Sequence, residues 1–162
     1  MNNSKICIRQ AEPKDIKDLV YLSFKLAEYE KFSHQFELTE KAFEKYCFCA
    51  KPLFFSLIAE NTPEQSEEKK AIGIAIFFYA FSSFTGKPTL YIEDIFVLEE
   101  YRGLGIGKKL FTKLIEIAKE KDCARLEWAV LNWNKASIEF YKSLGALPLD
   151  DRSTYRLSLN EI

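Results

Sequence analysis

A strand that runs through a glycine-rich turn into a helix is the feature that most constrains the fold of this chain. Residues 90–110 read LYIEDIFVLEEYRGLGIGKKL. The apolar pattern of Thr89–Val97 predicts a strand, and Gly105–Lys121 shows the spacing of an amphipathic helix. The glycines of Arg102–Gly107 lie between the two elements. A fold for this chain must therefore contain a β-loop-α unit, which is typical of α/β domains.

The rest of the chain supplies more strands and helices. Periodicity and turn residues predict further strands at residues 5–9, 54–60, 71–81, 125–131 and 155–159. Helices are predicted to begin at Pro13, Thr39 and Lys135. The polar residues 61–70 are expected to form an exposed hairpin loop. The order predicts one α/β (α+β) domain over residues 1–162 with a mixed sheet flanked by helices, because hairpins and helical crossovers both occur.

Composition excludes several classes of protein. The 162 residues include 23 Lys and Arg and 24 Asp and Glu, so the net charge of −1 argues against nucleic-acid binding. The longest stretch without a charge, Ala71–Gly86, is too short and too polar for a membrane span. The first residues pass directly into a strand pattern, so we expect no signal peptide and a cytoplasmic protein without membrane contact.

Cysteine and histidine are too sparse for a metal site. The chain has four cysteines and one histidine, and its only close pair is Cys47 and Cys49. A structural zinc site needs about four such ligands in paired clusters. We therefore expect no metal, and thiols that remain reduced. The alternative is a catalytic cysteine paired with His34, but His34 lies in the polar stretch of residues 31–35.

The glycine-rich turn fits an acyl-CoA loop better than two other phosphate-binding motifs. A Walker A loop requires four residues between its glycines, but Gly103 and Gly107 enclose three. A dinucleotide fingerprint would place its third glycine at Lys108. The pattern R-x-x-G-x-G, with Arg102 first, remains as a pyrophosphate-binding loop at a helix N-terminus. A tight strand–helix turn without a ligand is the alternative.

A second motif follows at residues 132–146, which read NWNKASIEFYKSLGA. Asn134 precedes a predicted helix, and Ser137 and Tyr141 share one helix face because they are four residues apart. Together with R-x-x-G-x-G, the series N-x-x-[SA]-x-x-x-Y-x-x-x-G resembles the signature of the GNAT N-acetyltransferase superfamily. LAEYEK, LYIEDIFV and LNWNKASIEFYKSLGA make the chain similar to diamine (spermidine/spermine) N-acetyltransferases and their thialysine-acetylating relatives.

The resemblance implies a twisted sheet whose fourth and fifth strands splay apart to admit acetyl-CoA, the co-substrate. It implies pantetheine contacts at Ile95, Phe96 and Val97. It implies pyrophosphate contacts at Arg102, Gly103, Leu104, Gly105, Ile106, Gly107 and Lys108, and further cofactor contacts at Asn134, Lys135 and Ser137. It also implies a homodimer that acts on a small-molecule amine.

The same resemblance, joined to the chemistry, suggests the catalytic residues. A primary amine is mostly protonated at neutral pH, and presenting the neutral form costs roughly 4.6 kcal/mol. Glu93 is predicted to be the base that takes this proton, and Tyr141 the acid that protonates the departing thiolate. Because strand side chains alternate, Glu93 and its neighbour Asp94 are expected to face opposite ways, and only Glu93 is assigned. Substrate contacts are expected at Tyr29, Glu30, Glu93, Glu127 and Trp128.

One departure from the family pattern concerns the substrate. Polyamine acetylators carry an acidic residue and a tryptophan in the turn before the fourth strand, whereas this turn, Ser82–Gly86, has neither. A shorter amine is therefore favoured, such as a diamine, thialysine or another lysine-like amino acid. Two alternatives stay open: an acetyltransferase for protein lysines or N-termini, and a non-catalytic acyl-CoA sensor.

Overall fold

The computed structural model describes residues 5–63 and 68–159. These divide into two compact units, one ending at Trp128 and the other beginning at Ala129. The elements of the first unit are β1 (Lys5–Gln10), α1 (Ile16–Tyr29), α2 (Glu40–Tyr46), β2 (Phe55–Thr62), β3 (Lys70–Ser82), β4 (Lys87–Val97), α3 (Ile106–Glu120) and β5 (Arg125–Trp128). The second unit contains α4 (Lys135–Ser143). The prediction of a single domain stays a prediction.

The sheet is mixed, as predicted. Its strand order is β1-β2-β3-β4-β5, with antiparallel pairs up to β4 and a parallel pair between β4 and β5. The parallel pair requires a crossover, and α3 provides it. The glycine-rich turn therefore connects the end of β4 to the start of α3. This connection is the β-loop-α unit that the sequence predicts.

The first helix packs its apolar stripe against the sheet. Leu19 and Leu22 are completely buried, and they join Ile58 and Ile74 of the central strands in one core cluster. Burying a leucine side chain contributes about 1.5–3 kcal/mol, so this stripe fixes α1 on the sheet. The C-terminal end of α1, with Tyr29, is thereby held beside β4.

An ion-pair cluster ties the start of α1 to the sheet edge. The Arg9 guanidinium donates to both carboxylate oxygens of Asp15, at 2.6 and 2.8 Å, and also to the carboxylate of Glu60. Asp15 and Glu60 are 5% and 6% exposed. Such buried carboxylates are tolerated because a bidentate arginine compensates their lost hydration.

A β-bulge interrupts β4 at Glu93. Ile92 lies opposite Phe77 and Asp94 lies opposite Ile76, so Glu93 is an extra residue with no partner of its own on β3. A bulge bends the strand and changes the direction of the side chains that follow it. The side chain of Asp94 therefore does not follow the simple alternation assumed from the sequence.

Two predicted strand regions differ in the structure. β5 ends at Trp128 rather than at residue 131, and residues 155–159 form no strand. Tyr155 and Leu157 are 92% and 77% exposed, so the alternating pattern there buries no apolar face. A strand is stabilised by its cross-strand neighbours, and alternation without them is insufficient. The predicted closing strand was therefore wrong.

The predicted hairpin loop is shorter than expected, because β2 extends to Thr62 and β3 begins at Lys70. Residues 64–67 of that prediction lie outside the described residues. Over the ranges that the structure does describe, no helix has both the length and the apolar character to cross a membrane.

Candidate active site

The outer edge of β4 separates from β5 halfway along the strand. The two strands pair from Thr89 to Ile92 of β4, and β5 ends opposite Ile92. The following stretch, Glu93–Val97, continues along β3 alone within the part of the chain described. This divergence is the splay that the family resemblance implies. Among the described residues, no strand pairs with the outer edge of Glu93–Val97.

The side chains of this stretch point in different directions. Phe96 is 7% exposed and belongs to the core cluster around α1, whereas Ile95 and Val97 are half-buried. A ligand lying along this edge would therefore contact the main chain of Phe96 rather than its ring.

The glycine-rich turn presents bare backbone at the start of α3. Gly103 and Gly105 have φ angles of +78° and +75°, in the left-handed region that favours glycine. A Cβ atom on either glycine would meet no atom within 4 Å, so the backbone there faces open space. No side chain caps α3 in the structure as described. Its first N–H groups and the positive end of its dipole are available to an anion such as a pyrophosphate.

The neighbouring side chains of this turn have different environments. Lys108 is exposed, as an anion-binding lysine would be, and Leu104 is 62% exposed. Ile106 is 1% exposed and packs in the core, so that only its main chain is available to a ligand. The turn thus supplies backbone donors, and Lys108 adds an exposed cation beside them.

Arg102, the first residue of the glycine-rich turn, contacts groups at the ends of β4 and α1. Its Nε donates to the main-chain oxygen of Val97 at 3.0 Å. The guanidinium carbon lies 4.6 Å from the centre of the Tyr29 ring and 5.5 Å from that of Phe96. Both rings are within cation–π range. Arg102 therefore joins the end of β4 to the end of α1, a role that its place in a glycine motif does not reveal.

Carboxylates gather where β4 meets the end of α1. Glu93 is exposed, whereas burial raises the pKa of Asp94 to about 7, with further contributions from the charges of Glu93 and Glu30. Burial also raises the pKa of Glu30. Strand alternation in the sequence favours Glu93 alone as the carboxylate of the site. The raised pKa of Asp94 and its place beside Glu93 make it a further candidate residue of the site.

A cavity of about 240 Å³ opens between α1, the segment after it and β4. Its polar lining includes Ser23, Glu30, Glu37 and Asp94, and we call it the acidic cavity. Leucine, phenylalanine, alanine and glutamine side chains complete the walls, and none of the lining residues is Lys or Arg. Sequence reasoning missed the cavity because its residues come from distant segments.

The predicted substrate residues of β5 are engaged within the sheet and against α3. The carboxylate of Glu127 forms an ion pair with Arg125 at 2.8 Å. In the register of β5 with β4, Glu127 lies opposite Tyr91. The pKa of Tyr91 is raised by burial and then by the charges of Glu93 and Glu127. The Trp128 ring packs edge-on against Phe111 at 5.2 Å, so this tryptophan has a packing role.

The second unit carries the remaining predicted residues on α4. The Asn134 side chain caps the helix by accepting from the Ser137 N–H at 3.2 Å. Lys135 is exposed, and Tyr141 lies one turn after Ser137. The predicted helix and its cap are therefore as expected, and Ser137 and Tyr141 share one face.

Three comparisons with known proteins agree with this architecture. A model of the acetyltransferase (GNAT) family matches residues 21–146. A thialysine N-epsilon-acetyltransferase of Mus musculus is 38% identical over 146 residues, which cover 89% of this chain and 85% of that protein. Spermidine/spermine N(1)-acetyltransferase-like protein 1 of Homo sapiens is 37% identical over 93% of this chain, and the match covers 22% of that longer protein.

A solved structure gives the same result for the fold. An integron cassette protein from the mobile metagenome of V. cholerae matches with a TM-score of 0.75 and 26% identity, over 96% of this chain and 93% of its own. The chain belongs to the GNAT family of acetyltransferases, and it is thus an acyltransferase. Within that family it is close to the thialysine and polyamine N-acetyltransferases.

GNAT acetyltransferases use acetyl-CoA as the acetyl donor. The free edge of β4 and the bare glycine turn fit an extended, anionic thioester of this kind. Across the residues described here, no group of three His, Cys, Asp or Glu side chains is arranged to hold a metal ion.

Proposed function

We propose that this protein transfers the acetyl group of acetyl-CoA to a primary amine of a small diamine, polyamine or thialysine-like substrate. The observation that carries the proposal is the free edge of β4, Glu93–Val97, followed directly by the uncapped, glycine-rich start of α3. The similarity to named thialysine and spermidine/spermine enzymes supports an amine as the acceptor.

Acetyl-CoA would be held mainly by main-chain groups. Ile95, Phe96 and Val97 would contact the pantetheine arm, although the Val97 oxygen already accepts from Arg102. The N–H groups of the glycine turn and Lys108 would bind the pyrophosphate, because helix N-termini attract anions. Contacts from α4 would come from Asn134, Lys135 and Ser137.

Two side chains would move protons during the reaction. Glu93 would attract the substrate ammonium and accept its proton, directly or through one water, so that a neutral amine can attack. Tyr141 would donate its phenolic proton to the sulfur as the thiolate leaves, and the second proton lost by the attacking nitrogen would restore the phenol, directly or through water. Bound acetyl-CoA supplies the electrophilic thioester carbonyl. Tyr29, Glu30, Glu127 and Trp128 would line the approach of the amine.

An acetylation screen tests this function. Pure protein is incubated with acetyl-CoA and, separately, with putrescine, spermidine, spermine, thialysine, lysine and a lysine-containing peptide. Free CoA thiol and product mass are measured, and kcat/KM is compared across amines. A small amine should be acetylated with the highest kcat/KM. Acetylation of the peptide alone would instead identify a protein acetyltransferase, and binding of acetyl-CoA without turnover would identify a sensor.

The assembly and location of the enzyme are proposed from the family resemblance. We infer a cytoplasmic homodimer. Light scattering coupled to size exclusion tests the assembly, and a mass of one chain, about 18.8 kDa, would contradict it.

A further inference from the structure

Gly73 is a buried glycine in β3 whose lack of a side chain is not explained by its own backbone conformation. Its φ angle lies outside the left-handed region, unlike those of Gly103 and Gly105. Any residue could adopt this strand geometry, and glycine in the interior of a strand weakens the strand. A glycine of this kind often marks a place where another backbone approaches closely.

The backbone that approaches Gly73 belongs to β4. A Cβ atom at Gly73 would lie 2.9 Å from the main-chain oxygen of Phe96, which is closer than such atoms come in folded proteins. It would also lie 3.3 Å from the Cβ of Ala59 and 3.4 Å from the Cγ2 of Val97. A main-chain oxygen cannot rotate away as a flexible side chain can. An alanine here would therefore displace the strand itself.

The Phe96 oxygen belongs to the peptide group that also carries the Val97 N–H. The C=O and N–H of a planar trans peptide point in opposite directions. The oxygen lies beside Gly73 of β3, so the Val97 N–H points to the outer edge of β4. The next peptide group agrees with this alternation, because the Leu98 N–H donates to the Ile72 oxygen of β3 at 2.9 Å. The contact with Gly73 therefore sets the position of a donor on the side where pantetheine is proposed to lie.

The end of β4 is the part of the sheet that would move if Gly73 carried a side chain. β3 lies between β2 and β4, and Ala59 of β2 is completely buried. Close-packed interiors resist compression, so little space can be gained on that side. Within the described ranges, Glu93–Val97 has no strand on its outer side. The displacement would therefore go outward, toward the proposed cofactor.

We propose that Gly73 is a positioning residue for acetyl-CoA: its bare Cα lets β3 lie close to the peptide group of Phe96 and Val97, and so fixes where the Val97 N–H meets the pantetheine arm. The inference rests on the function proposed above, and it adds a residue that itself touches no substrate. Gly73 lies outside the glycine-rich turn and outside the helix motif at residues 132–146. Neither motif points to it.

Two ligands that differ in the pantetheine arm test this role. CoA carries the arm, whereas 3′-phospho-ADP has the same nucleotide and pyrophosphate without it. Gly73→Ala should weaken the binding of CoA by about 2- to 12-fold, the range for one neutral hydrogen bond, and leave the binding of 3′-phospho-ADP unchanged. Calorimetric titration of each compound into the intact protein measures both dissociation constants.

Steady-state kinetics separate the effects on the two substrates. In Gly73→Ala the KM of acetyl-CoA should rise by a similar factor, while the KM of the amine stays at the wild-type value. Ile58→Val is the matched control for a loss of stability alone. Ile58 is 1% exposed, loses one methyl group from the core, and is separated from β4 by β3. The dissociation constants and KM values of this control should equal those of the wild type.

A second variant keeps the test available if Gly73→Ala does not fold. Combining Gly73→Ala with Ala59→Gly removes the neighbour at 3.3 Å and retains the contact with the Phe96 oxygen. The double variant is measured in the same way, and it should likewise bind CoA more weakly than the wild type and 3′-phospho-ADP equally well.

Failure of this inference and failure of the proposed function give different results. Equal losses of affinity for CoA and 3′-phospho-ADP, or a CoA affinity in Gly73→Ala no lower than that in Ile58→Val, would overturn the positioning role while acetyl transfer stands. If the wild type binds CoA but acetylates no amine, the proposed function fails, and the two dissociation constants still decide the role of Gly73. If the wild type does not bind CoA, both are rejected.

Discussion

The Arg102 guanidinium lies 4.6 Å from the centre of the Tyr29 ring while its Nε donates to the Val97 oxygen. A residue of the predicted cofactor loop thus holds a residue of the predicted amine site. If Arg102 only bound phosphate, its substitution would affect the binding of acetyl-CoA alone. Its contact with Tyr29 connects the predicted cofactor loop to the predicted amine site.

Arg102→Gln should therefore raise the KM of the amine as well as that of acetyl-CoA. The cation–π contact and the hydrogen bond together are worth about 1–3 kcal/mol, which corresponds to roughly 5- to 150-fold. Steady-state kinetics with each substrate varied in turn measures both values. Lys109→Gln serves as the control, because Lys109 is an exposed cation near the same turn and should change acetyl-CoA binding at most. An unchanged amine KM in Arg102→Gln would show that the Tyr29 contact is not used.

Tyr141→Phe should lower kcat by about 10²- to 10⁴-fold, the usual contribution of a general acid. The phenyl ring remains, so the affinity for acetyl-CoA measured by calorimetry should change little. Tyr155→Phe is the matched control, because that tyrosine is 92% exposed. Parallel losses of kcat and acetyl-CoA affinity would make Tyr141 a binding residue instead of an acid.

Glu93→Gln should lower kcat and flatten the rising limb of the pH–rate profile, because glutamine cannot accept the proton of the amine. The profile of kcat/KM from about pH 6 to 10 is compared with that of the wild type. Glu99→Gln, an exposed carboxylate of the loop after β4, provides the control. A profile that keeps its shape without Glu93 would exclude this residue as the base.

Asp94→Asn should stabilise the free protein at neutral pH. The native pKa of Asp94, about 7, lies above the unfolded value, so the native state binds the proton more tightly and the free energy of unfolding falls as pH rises from about 4 to 7. Each unit of pKa difference corresponds to about 1.4 kcal/mol, and we expect a gain on the order of 1–3 kcal/mol at pH 8. Urea unfolding at pH 5 and 8 measures it.

The exposed Asp150→Asn is the control for that stability experiment. Its unfolding curves should follow those of the wild type at both pH values. If the free energy of unfolding of Asp94→Asn depends on pH as that of the wild type does, Asp94 does not have a raised pKa in the native state.

Arg9→Met should destabilise the fold by about 3–5 kcal/mol, because it leaves the buried carboxylate of Asp15 without its arginine partner and that of Glu60 with only the Lys69 ammonium at 3.6 Å. The Arg9 hydrogen bonds lower the pKa of Asp15, so this contribution is present above the usual pKa of an aspartate and is lost as pH falls through the lowered value. Urea unfolding at neutral and acidic pH measures both effects. Lys25→Met breaks the exposed pair with Glu28 and should cost less than about 1 kcal/mol.

Patterns within a short segment of sequence correctly predicted the features that depend on residues of that same segment. The apolar stripe of α1 and the cap at Asn134 follow from spacing and side-chain chemistry, and both are present. The closing strand at residues 155–159 failed because alternation does not specify a partner strand. The divergence of β4 from β5 was expected from the family resemblance and not from the pattern of either strand.

Features that depend on register or on distant contacts were not predictable. The bulge at Glu93 is a property of the pairing between β3 and β4, and a single strand's sequence does not contain it. The position of Asp94 in the wall of the acidic cavity therefore could not be read from strand alternation. The acidic cavity likewise joins Ser23 and Glu37 to a residue more than fifty positions away, and only the folded chain shows that these groups meet.

The extra residue in β4 divides one strand into two frames. Ile92 keeps its register with β5, while Asp94 takes its place on β3 one residue out of step. Removing the bulge would shift the β4 residues after Ile92 by one position relative to β3. Their inward and outward side chains would then be exchanged. A single insertion or deletion here would therefore redirect every β4 side chain after Ile92 without substituting any of them.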